Sequence, residues 1–222
     1  MLNREYLNSF ICILKFRIKS LKKTILVPII LVDLLFPILW LYIFIKKNIP
    51  DEWIDTTKIF MFVIFPIASN YIGMFSMREY IEGEGNEIIY VYNRNCFILE
   101  NFTLFFISLI NIVIICTIFF LYLSALKLFT LWIIIICFFY FCLINFIYLL
   151  GNSIVLTIMV ILIYTFINLM FRPNLEVAFF YSSALGYNLS KEFIIVYFPI
   201  FIMSIILFIL SIYINHYRRR FK

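Results

Sequence analysis

Residues 131–150 read LWIIIICFFYFCLINFIYLL and contain no Asp, Glu, Lys, Arg or His. An α-helix needs roughly 20 mostly apolar residues to cross the hydrocarbon core of a bilayer, which is about 30 Å thick. The stretch has this length, and it lacks the alternation of polar and apolar residues that marks a strand of a membrane β-barrel. It therefore predicts a membrane-spanning helix.

The composition of the whole chain agrees with this prediction. Of its 222 residues, 65% are hydrophobic and 14% are charged, whereas a soluble domain is about half apolar and about a quarter charged. Five more apolar runs of similar length are bounded by charged or turn residues, which gives an all-α integral membrane protein with six transmembrane helices. The predicted spans are residues 25–45, 59–77, 102–123, 131–150, 154–171 and 193–214.

The distribution of Lys and Arg predicts the orientation, because cytoplasmic flanks of spans retain positive charge. With the N-terminus inside, twelve of the 18 basic residues lie on the inner side. Trp40, Trp53 and Trp132 then fall near the outer interface, which indole side chains favour. We expect a multi-pass protein of the bacterial cytoplasmic membrane with both termini in the cytoplasm. No cleavage site of small residues follows the first apolar run, so a cleaved signal peptide is not expected.

The net charge is +6. We interpret the excess of basic residues as setting the membrane topology and contacting anionic headgroups, because a nucleic-acid-binding protein needs a basic face outside the bilayer. We expect membrane lipids as partners and no nucleic acid.

Residues 1–24 form a separate N-terminal segment before the six-span domain, residues 25–222. Its apolar residues follow the three-four spacing of one helical face, and its basic and polar residues lie on another. This pattern predicts an amphipathic helix lying in the inner interface, with a solvated basic leader as the alternative. The apolar face consists of Leu7, Phe10, Ile11, Leu14, Ile18 and Leu21.

The five cysteines indicate neither disulfides nor a metal site. Cys12 and Cys96 are predicted to be cytosolic, where thiols stay reduced, and the other three lie within predicted spans as small apolar residues. The step from Cys137 to Cys142 places the two thiols on different helix faces, and His216 is the only histidine. We expect no metal.

The segment between the second and third predicted spans, residues 78–101, is unusually acidic for a cytoplasmic loop. Gly83 and Gly85 interrupt any helix that continues from the second span, and Asn86 can cap a short new helix. Such a helix, parallel to the membrane, could insert into a groove of a partner protein; a solvated acidic hairpin is the alternative. The acidic residues of the segment are Glu79, Glu82, Glu84, Glu87 and Glu100.

This segment resembles the signature of ABC-2-type permeases, the membrane subunits of one class of ATP-binding-cassette exporter. In that family an acidic, glycine-containing stretch after the second span is followed by glutamate, two aliphatic residues and a downstream arginine. Asn86 replaces a frequent threonine, and a common proline before the arginine is absent. The matching residues here are Glu82, Glu84, Gly85, Glu87, Ile88, Ile89 and Arg94.

The resemblance implies that residues 78–94, including Glu79, form a coupling helix that docks on a separate ATPase. The chain contains no G-x-x-x-x-G-K-[ST] motif for cradling phosphates. ATP-Mg would therefore be bound by a partner P-loop ATPase in two copies, and a second permease subunit, identical or homologous, would complete the complex. We expect no cofactor and no catalytic residue in this chain, and an amphipathic cargo such as an antimicrobial peptide, a drug or a lipid-like molecule.

Asp33 is the only Asp, Glu, Lys, Arg or His side chain inside a predicted span. A carboxylate there costs roughly 2.5–3.5 kcal/mol on the insertion scale. At a rise of about 1.5 Å per residue, Asp33, Asn70 and Asn111 lie at similar predicted depths. They could line the transport path or its inner gate. Alternatively, they form hydrogen bonds between helices that serve only packing.

Two further features concern the spans and their outer side. Pro37, Pro66 and Pro199 remove backbone hydrogen bonds within predicted spans and permit kinks. Residues 172–192 are too apolar for a free loop and predict a short re-entrant or interfacial helix that closes the outer gate.

Three other functions compete with the exporter. An intramembrane enzyme needs a metal set or a nucleophile and base, which the chain does not assemble. A substrate-capture subunit of a vitamin-uptake transporter has a similar size but lacks an acidic loop after its second span. A membrane anchor or immunity protein that acts without ATP is the third alternative.

Overall fold

The computed structural model describes residues 11–12, 14–15, 18–19, 26–38, 63–81, 97–120, 127–170 and 197–218. Among these residues, all except Asn152 and Ser153 are helical, which confirms the all-α class for the described part of the chain. The helices are α1 (Leu26–Ile29), which continues as a π-helical segment, π1 (Ile30–Leu35), then α2 (Phe65–Ile81), α3 (Phe97–Phe120), α4 (Lys127–Gly151), α5 (Ile154–Met170) and α6 (Phe198–Arg218).

Three of these helices are long and apolar enough to cross a bilayer, and they identify the chain as a membrane protein. The candidate spans are Phe97–Thr117, Thr130–Gly151 and Phe198–Tyr217. Two shorter apolar helices, Leu26–Ile38 and Ile154–Ile167, accompany them.

The distribution of polarity is the reverse of that in a soluble protein. The outer surfaces of the helices are apolar; on α5, for example, Met159 and Ile163 are each 57% exposed. The buried polar side chains include Ser204, Ser211 and Asn145. Lipid tails are as apolar as these outer side chains, so helices in a bilayer associate through small and polar residues instead.

Helix α4 is the centre of the bundle. It contacts α2, α3, α5 and α6. In its apolar membrane-spanning stretch 67% is buried inside the bundle, against 39% for that of α3 and 22% for that of α6. Aromatic rings fill the space around it. Phe141 stacks on Phe105 of α3 with ring centroids 4.7 Å apart, and it also meets Phe208 of α6 at 6.4 Å.

Contacts at the two ends of the bundle give the directions of the helices. At one end, the rings of Trp132 and Tyr197 are stacked at 4.9 Å, which joins the N-terminal part of α4 to the residue before α6. At the other end, the Tyr148 hydroxyl donates to the Met77 carbonyl at 2.6 Å, and Phe97 stacks on Tyr148. Helices α2, α4 and α6 therefore run in one direction and α3 in the other. We call these the Trp132 end and the Tyr148 end.

Only one of the three tryptophans lies within the described residues. The indole of Trp132 is 2% exposed because it packs on Tyr197. Trp40 and Trp53 lie outside the described residues.

Small residues allow α2 to approach its neighbours closely. Ser69, Gly73 and Ser76 are buried along one side of α2, and a Cβ atom at Gly73 would lie 4.0 Å from the Asn101 carbonyl oxygen of α3. Small residues spaced in this way are common at helix contacts in membranes.

A two-residue turn connects α4 to α5. Asn152 has φ 50°, a left-handed conformation that asparagine tolerates at a helix C-terminus, and its N–H donates to the Tyr148 carbonyl at 2.9 Å. Ser153 then caps α5, since its hydroxyl accepts a hydrogen bond from the N–H of Leu156 at 3.4 Å. Helix α5 turns back along α4, and the hydroxyls of Tyr140 and Thr165 meet at 3.0 Å.

The helix bounds differ from the predicted spans mainly on either side of the acidic segment. Helix α2 continues to Ile81 and α3 already begins at Phe97, so the predicted loop 78–101 is helical at both ends. Phe97 is 2% exposed, and its burial against Tyr148 explains why the helix starts before the predicted residue 102.

Two of the three prolines that were predicted to permit kinks lie close to the start of a described α-helix. Pro66 and Pro199 are the second residues of α2 and α6, and residues with π-helical geometry directly precede both helices. The backbone next to both prolines therefore departs from regular α-helical geometry, and the kinks stay a prediction.

The N-terminal segment and the cysteines lie only partly within the described residues. Ile11, Ile18, Lys15 and Lys19 are helical and exposed, while the interfacial position of this segment stays a prediction. Cys12, Cys116, Cys137 and Cys142 are free thiols, the last three of them buried; Cys96 and residues 172–192 lie outside the described residues.

Candidate functional site

Asp33 lies on the π-helical segment π1, and the sequence explains this local geometry. In an α-helix the Asp33 carbonyl would accept from the N–H of residue 37, but Pro37 has no N–H to donate. A wider π-helical turn is one way for a membrane helix to adjust around a proline. Such turns occur frequently at functional sites, which makes π1 the first candidate.

The Asp33 side chain is joined to the middle of α3. The Asn111 amide nitrogen Nδ2 donates to Asp33 Oδ1 at 2.8 Å. Asp33 is exposed and Asn111 is half-buried. The structure therefore brings together two of the three polar residues that were predicted to share one layer.

The surface around this pair is apolar. Ile30 and Leu34 are 47% and 52% exposed on π1, and Ile107 and Ile110 are 52% and 45% exposed on α3. A carboxylate in such a surface has to face water or a partner if the surface lies in the hydrocarbon, because lipid cannot solvate it. The hydrogen bond from Asn111 satisfies one of its two oxygens.

Asn70 is used differently. Its side chain is 3% exposed, and Nδ2 lies 2.9 Å from the Pro66 carbonyl oxygen of its own helix and 3.2 Å from the Cys137 carbonyl oxygen of α4. Asn70 therefore connects α2 to α4 inside the bundle. For this residue the contacts favour the packing interpretation.

A second polar group lies at the Tyr148 end. The Asn101 Nδ2 donates to Asn145 Oδ1 at 3.0 Å, and Asn145 Nδ2 donates to the Phe141 carbonyl at 2.8 Å. Both side chains are buried. Together with the bond from Tyr148 to Met77, these bonds attach α2 and α3 to α4.

Sequence reasoning missed Glu100, which it counted as part of the acidic loop. Glu100 lies in the first turn of α3 and is 0% exposed. The signal was present in the spacing: Phe97, Leu104 and Phe105 are buried on the same face, and Glu100 continues their three-four pattern. An ionisable group buried at the start of a candidate span is a marker of function in membrane proteins.

The predicted coupling residues fall almost entirely outside the described residues. Glu79 belongs to the last turn of α2. The segment 82–96 begins after α2 and ends before α3, and both of these helix ends lie at the Tyr148 end. The residues that stay predictions are Glu82, Glu84, Gly85, Glu87, Ile88, Ile89 and Arg94.

Within the described residues, no group of three or more His, Cys, Asp or Glu side chains could hold a metal ion.

No protein family, no curated protein and no solved structure matches the chain. A function can therefore be inferred only from the residues and contacts of the chain itself.

Proposed function

We propose that the chain is the transmembrane permease subunit of an ABC exporter and moves an amphipathic cargo outward. It crosses the cytoplasmic membrane six times with both termini inside. A separate P-loop ATPase in two copies binds ATP-Mg and docks on residues 78–94, and a second permease subunit, identical or homologous, completes the transport path.

The observation that carries the proposal is the attachment of the two helices that flank the acidic segment. Helix α2 is held to α4 by the Tyr148 to Met77 bond, and α3 is held to α4 by the Asn101 to Asn145 bond. Both bonds are buried and lie at the Tyr148 end, where α2 ends and α3 begins. A partner that moves the acidic segment therefore moves α2, α3 and α4 together.

The same attachment connects the acidic segment to the polar pair in the middle of the bundle. Asn111 lies about 15 Å further along α3 than Asn101, at a rise of about 1.5 Å per residue. Because Asn111 is bonded to Asp33, a displacement of α3 also acts on π1. The Asp33 carboxylate then belongs to the wall of the path or to its inner gate, where water or cargo solvates it.

The docking element is tested by association with the ATPase. We expect the chain to copurify with a P-loop ATPase encoded beside it, and we expect the double variant Glu87→Arg with Gly85→Leu to abolish copurification. The double variant reverses the charge at position 87 and replaces a glycine that is predicted to interrupt the helix.

A matched control places the same charge change on the predicted opposite side of the membrane. Glu52→Arg should leave the association unchanged. Equal recovery of the ATPase with the double variant and with the control would show that the acidic segment is not the docking element.

A further inference from the structure

A cavity of about 720 Å³ opens at the Tyr148 end between α3, α4 and α6. Its walls are mainly apolar: Leu99 and Phe102 contribute from α3, Phe138 from α4, and Phe208 and Ile212 from α6. Its volume lies within the range of about 300–1,000 Å³ that is usual for small-molecule sites.

The cavity has a polar end, formed by Asn215 and His216 of α6. Asn215 is 3% exposed, and its Oδ1 has no hydrogen-bond partner among the described residues. The buried amides of Asn70 and Asn145, in contrast, are paired within the bundle. A buried amide oxygen is rarely left without a donor, so Asn215 points to a ligand that supplies one.

The cavity is polar at one end and apolar at the other, like one leaflet of a bilayer with its headgroups and acyl chains. Phe208 and His216 are eight residues apart on α6, which corresponds to about 12 Å, and one leaflet contributes about 15 Å of hydrocarbon. The polar end lies near the last turn of α6, and the apolar wall reaches Phe138 in the middle of α4. Leu99 and Ile212 are 51% and 46% exposed, so the cavity opens sideways on the apolar surface.

The sequence adds a charge preference at the polar end. Arg218, Arg219, Arg220 and Lys222 follow Asn215 within seven residues, and basic residues next to a span attract anionic headgroups. A hydroxyl is a hydrogen-bond donor of the kind that Asn215 Oδ1 lacks.

We propose that this cavity binds one membrane phospholipid, with an acyl chain against Phe138 and Phe208 and an anionic, hydroxyl-bearing headgroup at Asn215. Among the described residues, the lining of the cavity includes neither Asp33 nor Asn111. The lipid site does not depend on the exporter function.

Three lipids with identical acyl chains separate the two headgroup contributions. Phosphatidylglycerol carries the negative charge and hydroxyls, phosphatidylmethanol carries the charge alone, and phosphatidylcholine has neither a net charge nor a donor. Titration of the purified full-length chain in detergent, followed by native mass spectrometry, gives a Kd for each. We expect one tight site with affinity decreasing in that order.

Two substitutions locate the site. Leu99→Trp fills the cavity from its exposed wall and should raise the Kd of all three lipids at least about tenfold. Ile107→Trp on the same helix is a matched control, because Ile107 is 52% exposed and does not line the cavity; it should change each Kd less than about twofold. Equal effects of the two variants would overturn the assignment of the site.

Asn215→Leu tests the headgroup contact. It should raise the Kd of phosphatidylglycerol about threefold to tenfold, the range expected for one lost hydrogen bond. The Kd of phosphatidylmethanol should not change. Wild-type protein that binds phosphatidylglycerol and phosphatidylmethanol equally would refute the role of Asn215. The Leu99→Trp result stands independently if Asn215→Leu does not fold.

Discussion

Replacing Asp33 by asparagine removes a charge while keeping the shape of the side chain. The Asn111 amide still has an oxygen acceptor at the position of Oδ1, where the present bond is 2.8 Å long. If the carboxylate belongs to the transport path, Asp33→Asn should impair export and leave the fold intact.

The size of both effects follows from the environment of the side chain. A hydrogen bond to a charged group contributes roughly 1.5–3 kcal/mol and one between neutral groups roughly 0.5–1.5 kcal/mol. Suppose that a cargo group hydrogen-bonds to the Asp33 carboxylate in the transition state of transport. In Asp33→Asn this bond would be weaker by about 1–1.5 kcal/mol, which would slow export about fivefold to tenfold. Stability should change by less than about 1 kcal/mol, because loss of the charge also lowers the cost of burying the side chain in lipid.

Export is measured as cargo efflux from cells or from inverted vesicles with the ATPase present, and stability as the thermal midpoint of the purified protein. Asp33→Leu leaves the Asn111 amide without its acceptor and should lower both. Thr103→Ala serves as a control, because the Thr103 hydroxyl donates to the Leu99 carbonyl of its own helix at 2.8 Å. Normal export by Asp33→Asn together with poor folding of Asp33→Leu would refute a transport role and leave Asp33 as a packing residue.

Two further predictions concern stability. In a double-mutant cycle of Asn101→Ala and Asn145→Ala, followed by SDS titration and circular dichroism, the coupling energy should be about 0.6 kcal/mol and at most about 1.7 kcal/mol, as measured for hydrogen bonds between membrane helices; strictly additive variants would contradict the bond. Asn152→Ala should destabilise the protein by about 1 kcal/mol because alanine disfavours the φ of 50°, whereas Asn152→Gly should be neutral; equal midpoints for the two variants would show that the turn conformation is not strained.

Much of the helical architecture could be predicted from the sequence because the apolar runs are long. The predicted span 154–171 corresponds to α5, Ile154–Met170. The pairing of Asp33 with Asn111 also follows from depth, since a fixed rise per residue places both near the middle of neighbouring helices.

Other features depend on tertiary contacts that no local pattern specifies. Asn70 lies at a similar predicted depth to Asp33, but the rotation of α2 directs its amide to the Cys137 carbonyl. Glu100 was assigned to a loop because its charge outweighed the apolar spacing around it. Asn215 lies in the last turns of α6, and only the packing of α3 and α6 around α4 shows that its oxygen is buried without a hydrogen-bond partner in the described part of the chain.

The central position of α4 also bears on biosynthesis. During translation, α2 and α3 leave the ribosome before α4, because they precede it in the chain. Until α4 follows, the Asn101 amide lacks its acceptor on Asn145, and the Asn70 amide lacks the Cys137 carbonyl. The polar groups of the two earlier helices are therefore fully paired within the bundle only after α4 has joined them.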